Sequence, residues 1–194
     1  KILRSLLLKQ THKWQVYDLE FMRTTDGASA QIAQYHTVFE GVLSREVPNI
    51  VFDSHVAHGK QFRSYFVGAQ RVTLDADMGD YYDAYVPSSY SIDTLSIIGP
   101  EVLYAMREFT LPCDIEFVGK TMVCYAPLLP YDKVDEFESQ CAGLLKVFDD
   151  TLINYRDDHT YGKDRRTAVH GFARELMRSP FYRWPALVLS MATF

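Results

Sequence analysis

The chain has 194 residues, of which 47% are hydrophobic, 14% aromatic and 23% charged. Those proportions supply one sizeable core and exclude wholesale disorder. The net charge of −5 is uneven: Lys163 to Arg183 holds six basic residues against Asp164 and Glu175, a net +4, which leaves −9 for the rest. An acidic body excludes a general nucleic-acid binder, since phosphate contacts need a basic face, whereas the basic tail can meet anionic lipid.

Residues 1–13 read as the end of an amphipathic helix, because Ile2, Leu3, Leu6 and Leu7 fall at helical spacing. With Lys at the first position and an apolar run at Phe194, both ends read as cut edges of a longer protein. Residues 14–157 read as one soluble α+β domain. Trp14 to Phe21 and Gln31 to Leu43 alternate apolar and polar, and Asp26-Gly27 between them signals a turn, so a long antiparallel hairpin is predicted. Asn49 to Asp53 is a short apolar strand after Pro48.

Phe62, Tyr65 and Phe66 give His55 to Gln70 the spacing of a short helix. Arg71 to Leu74 reads as a strand, Asp77 as the cap of a short helix through Tyr85, and Ile92 to Ile98 as a further strand. Pro100 starts a helix whose inner face is Val102, Leu103, Met106 and Phe109. Cys113 to Ala126 forms a hairpin if Gly119-Lys120 is a type II′ turn. Phe117 then faces Met122, Ile115 faces Cys124, and Asp114 and Glu116 share the opposite face. Asp132 caps the strongest helix, which runs to about Tyr155 on a stripe of Val134, Phe137, Cys141, Leu144, Phe148 and Leu152. Residues 158–170 are a polar linker, and 171–194 a basic, aromatic tail.

Three cysteines, Cys113, Cys124 and Cys141, include no C-x-x-C pair. That spacing argues against a secreted disulfide framework and a zinc knuckle, and the thiols read as buried and reduced. A Cys113–Cys124 bridge stays open if the two lie on neighbouring strands. Asp53, His55 and His58 put three potential ligands within six residues, the beginning of a metal site or else a polar loop with solvated histidines. Asp75, Asp77, Asp80 and Asp83 cluster with tyrosines, but they lack the spacing of a calcium loop and read as capping and solvated acids. No phosphate-binding loop, nucleophile elbow or H-E-x-x-H motif occurs.

The stretch from Leu74 to Tyr125 resembles a bacterial family catalogued as domain of unknown function 3137. The shared order is Leu74-Asp75, Tyr81, Tyr85-Val86, the apolar Leu95 to Ile98, the Pro100 to Phe109 helix and the Ile115 to Tyr125 hairpin. The resemblance covers about Gly41 to Tyr125 and implies membrane-spanning segments beside a soluble domain, with no catalytic residues to carry over. Gly99, where a Thr often precedes the Pro, and the long His55–Gln70 insert depart from the pattern.

The sequence therefore predicts an antiparallel sheet of five to seven strands, with the Pro100 and Asp132 helices on one face and a helical tail at the C-terminus. Arg178, Tyr182, Arg183 and Trp184 have the character of a headgroup boundary, and the uncharged run after Trp184 reads as the start of a span. The basic residues just upstream place the acidic domain in the cytoplasm. The function read from these features is a non-enzymatic interaction or scaffold domain of a bacterial membrane protein, without a cofactor. The alternatives are a metal-dependent hydrolase on the Asp53–His58 loop and a small-ligand-binding domain.

Overall fold

A computed structural model describes residues 2–24, 31–57, 71–74, 77–87 and 97–154. They form an α+β domain built on an antiparallel sheet of six strands: β1 (Ile2–Gln10), β2 (Trp14–Thr24), β3 (Gln31–Ser54), β4 (Arg71–Val72), β5 (Tyr82–Tyr85) and β6 (Asp114–Pro127). Two α-helices are described, α1 (Pro100–Arg107) and α2 (Val134–Thr151).

Residues 2–10 are a correction. They form strand β1, paired antiparallel with β2 from Ile2↔Phe21 to Gln10↔Gln15, and not a helix. A ten-residue helix is marginal alone, whereas β2 offers a full row of hydrogen-bond partners. Thr11 closes the connection: its hydroxyl accepts from the Lys13 and Trp14 amides at 3.2 and 3.1 Å, and its amide donates to the Trp14 carbonyl at 2.8 Å. The β2–β3 hairpin forms as predicted, from Trp14↔Gly41 to Thr24↔Gln31, although its turn lies outside the described residues.

Strand β3 absorbs two predicted strands into one bent element. Its first half, residues 36–42, pairs with residues 121–127 of β6, and its second half, from Val47 to Phe52, pairs with residues 115–119. Straight, Cys113 and Cys124 would stand about 36 Å apart. Their sulfurs instead lie within 4.8 Å of each other, so β6 doubles back. Gly119 has φ of +60° while no non-glycine residue among those described has positive φ, as the first position of a type II′ turn requires. The hairpin thus sits between the two halves of β3, and Ser44, Arg45 and Glu46 cross over its tip. That crossing spans three strand spacings, about 14 Å, within the reach of the five steps from Val42 to Val47. The Asn49 side-chain amide donates to the Phe117 carbonyl at 2.9 Å and fastens the second half to the hairpin. Beyond it come β5 and then β4.

Asp77 does not cap a helix reaching Tyr85. Only a single 3-10 turn, Met78–Asp80, forms without a side-chain cap bond, and Tyr82–Tyr85 is a strand. Pairing with β3 wins over the local capping signal. Asp132 is likewise no cap: it lies inside a 3-10 turn, Tyr131–Lys133, and α2 begins at Val134 after Lys133. Pro100 does start α1, where the Gly99 carbonyl accepts from the Val102 and Leu103 amides at 3.0 and 3.2 Å. The predicted 55–70 helix beyond Ala57 and residues 92–96 of the predicted strand lie outside the described residues, as do the linker and tail from residue 155 onward; Ile97 and Ile98 are buried.

Both helices pack on one face of the sheet. The core there joins Val102 and Met106 of α1 and Val134, Phe137, Cys141, Leu144, Leu145 and Phe148 of α2 to Phe39, Ile50, Phe52, Ile115, Phe117, Met122 and Cys124 of the sheet. The opposite face is buried too, and it mixes apolar Val38, Val51 and Val123 with polar groups: His36, Asp53, Asp83, Asp114, Glu116 and Tyr125 are all at most 6% exposed. The alternation that sends Asp114 and Glu116 away from the apolar face is as predicted; their burial is not foreshadowed by it.

Candidate functional site

The Asp53–His58 loop is placed by the end of β3. Asp53 lies opposite Asp83 of β5 in the ladder, and the chain turns at His55. The His55 amide donates to the Tyr81 carbonyl at 2.9 Å. Its ring Nδ1 donates to the Asp80 carbonyl at 2.9 Å, and Nε2 faces Asp83 Oδ1 at 3.4 Å without a hydrogen bond. Arg71 grips that same carboxylate oxygen at 2.5 Å. Arg71, Asp83 and His55 therefore pin the β4–β5 edge to the turn after β3. His58 lies outside the described residues.

The acidic run does not converge. Asp77 and Asp80 are exposed, with Asp77 3.4 Å from Arg107, whereas Asp83 points inward from β5. Asp75 lies outside the described residues, as do Arg178, Tyr182, Arg183 and Trp184. No described helix is long and apolar enough to cross a membrane.

On the mixed face, Asp114 Oδ1 accepts from the Ser54 amide at 2.7 Å, a bond between the hairpin base and the end of β3. Burial pushes the Tyr125 phenol well up, and the carboxylates of Asp114, Glu116 and Asp53 add to it.

Among the described residues, the ligand-type side chains that do converge are Cys113, Cys124 and Cys141. Each offers a sulfur, and all three sulfurs lie within 4.8 Å of one another. Cys113 immediately precedes β6, Cys124 stands on its second arm opposite Phe39, and Cys141 sits on the buried stripe of α2. All three are free and at 0% exposure. Burial pushes the Cys113 and Cys141 thiols well up. At Cys124 burial works in the same direction, but hydrogen bonds from the other two thiols outweigh it and bring its pKa down to about 6. A sulfur that receives two S–H donors is the one whose thiolate is stabilised. Burial also raises the Tyr82 phenol, and any thiolate among the neighbouring cysteines, together with Asp114, raises it further.

Sequence reasoning brought Cys113 and Cys124 onto neighbouring strands but left Cys141 apart, and so missed the group of three. The signal was present: the hairpin register puts Cys113 and Cys124 diagonally on one face, and α2 turns Cys141 toward that face.

Neither protein-family models, nor curated proteins, nor solved structures give a match to this chain.

Proposed function

We propose that this chain is a non-enzymatic interaction or scaffold domain of a bacterial membrane protein, with its acidic body on the cytoplasmic side. The observation that carries the reading is the burial of Asp53 beside His55. The His55 ring Nδ1 is committed to the Asp80 carbonyl, and Asp53 beside it is only 1% exposed. A hydrolase on Asp53, His55 and His58 needs all three groups to reach a substrate or metal from solvent, and Asp53 is buried in the sheet. The resemblance of Leu74 to Tyr125 to domain of unknown function 3137 supports the membrane placement. So does the net +4 between Lys163 and Arg183, which suits an anionic cytoplasmic leaflet.

Two measurements test this. Full-length protein should pellet with membranes and leave them only with detergent; protein that stays in the supernatant refutes the placement. Purified protein should not turn over p-nitrophenyl esters or phosphates, with or without added Zn²⁺. Turnover that His55→Ala abolishes would install the hydrolase reading instead.

A further inference from the structure

We propose that Cys113, Cys124 and Cys141 form a binding site for one thiophilic d¹⁰ cation, Zn²⁺ or Cu⁺. Three thiol sulfurs already stand within 4.8 Å of one another. A zinc ion binds sulfur at about 2.3 Å, so three sulfurs around one ion stand roughly 4 Å apart. Closing the observed group onto an ion therefore takes shifts of well under 1 Å, within the reach of χ1 adjustments and without movement of the backbone.

The scaffold makes the arrangement a formed site. The ligands come from three different backbone segments, each fixed by its own packing. The base of the hairpin is tied by Asp114 to the Ser54 amide, its second arm is laddered to β3 from His36 to Val42, and α2 is docked by Phe137, Leu144 and Phe148. A site whose ligands are held in place loses little conformational entropy when the ion enters.

The donor set decides the class of ion. No carboxylate belongs to the group, and its surroundings are the apolar core. Hard cations such as Mg²⁺ and Ca²⁺ need oxygen ligands, whereas thiolates select Zn²⁺ and Cu⁺. Ligation replaces S–H protons by the cation, and those protons leave to bulk water.

The test uses the whole chain purified under reducing conditions without chelator. Elemental analysis should find Zn or Cu near one equivalent per chain, and the element found separates the two ions. Stripped protein titrated with Cd²⁺ or Cu⁺ should develop a sulfur-to-metal charge-transfer band that saturates at one equivalent. Saturating Zn²⁺ or Cu⁺ should raise the unfolding midpoint, as any ligand specific to the native state does. Cys124→Ala and Cys141→Ala should lose the band. Should those variants fail to fold, the titrations of the wild-type chain carry the decision alone. Folded wild-type protein that shows no band and no rise in midpoint would overturn the proposal, as would a disulfide between any two of the three cysteines in the native chain.

Discussion

Phe117 and Phe148 stack face to face, with ring centroids 4.1 Å apart and planes 19° from parallel. One ring belongs to the first arm of the β6 hairpin and the other to the last turns of α2, so this pair holds helix to sheet near the hairpin tip. Phe52 meets the edge of Phe117 at 6.4 Å and completes the contact from β3. Phe117→Ala removes both ring contacts at a position only 1% exposed. It should cost about 3–5 kcal/mol in denaturant unfolding, as truncation of a core aromatic does. A loss below about 1 kcal/mol would mean that the site collapses around the missing ring.

Gly41 lets β3 lie close against α2. A Cβ built there would lie 2.7 Å from Leu145 Cδ2 and 3.0 Å from the Phe39 ring. Gly41→Ala should therefore destabilise by about 1–3 kcal/mol through overpacking, although its backbone conformation suits alanine. Adding Leu145→Ala opens the space, so the double variant should lose less than the sum of the two single changes. Strict additivity in that cycle would show that the helix shifts to absorb the methyl group.

The two faces of α2 make a sharper contrast. Phe148 is 0% exposed, and Lys146, two residues earlier, faces water. Phe148→Asp should leave the chain unfolded, because the buried charge has no partner. Lys146→Glu should change stability by no more than about 0.5 kcal/mol. Circular dichroism and urea unfolding of the two variants distinguish a docked helix from one that merely lies on the surface.

The β6 hairpin shows how the fold was legible. Its apolar residues are odd-numbered before Gly119 (Cys113, Ile115, Phe117) and even-numbered after it (Met122, Cys124, Ala126), and only a turn or a bulge lets that sequence keep one face. Period-2 and period-3.6 patterns likewise gave β2, the start of β3, α1 and α2. The pattern failed at Ile2–Gln10, where Leu6, Leu7 and Leu8 suit a helix and a strand equally and pairing with β2 decides. It failed at Asp77 and Asp132 because a capping side chain describes only its own turn, while pairing with β3 and packing on the sheet set where the elements begin. Burial of Asp53, Asp114 and Glu116 was illegible for another reason: alternation assigns a face and says nothing of what covers it. The cysteine group needed the register and the helix phase together, so no spacing along the chain announces it.

Glu138 joins three elements and gives the fold an acid-sensitive point. From α2 its carboxylate accepts from the Trp14 indole N–H of β2 at 2.9 Å and from the Lys9 ammonium of β1 at 2.5 Å. Lys9 also bonds Asp135, one turn earlier on the helix. Burial works to raise the Glu138 carboxyl, but the hydrogen bonds from Lys9 and Trp14 and the charge of Lys9 outweigh it, and the group is held below its usual value of 4.5. A carboxyl depressed in the folded state releases its proton more readily there than in the unfolded chain. Its contribution is therefore fully present above about pH 4.5 and is lost as the pH falls through the lower folded value. Glu138→Gln removes the charge pair and leaves the indole an acceptor, so it should cost about 1 kcal/mol at pH 7, given that the glutamate side chain is only 19% exposed. The same substitution should cost progressively less as the pH is lowered from 5 toward 3. Urea unfolding of both proteins across that range checks the sign. A difference that stays constant with pH would mean that Glu138 acts by packing alone and that the Lys9 contact contributes nothing to holding β1 against α2.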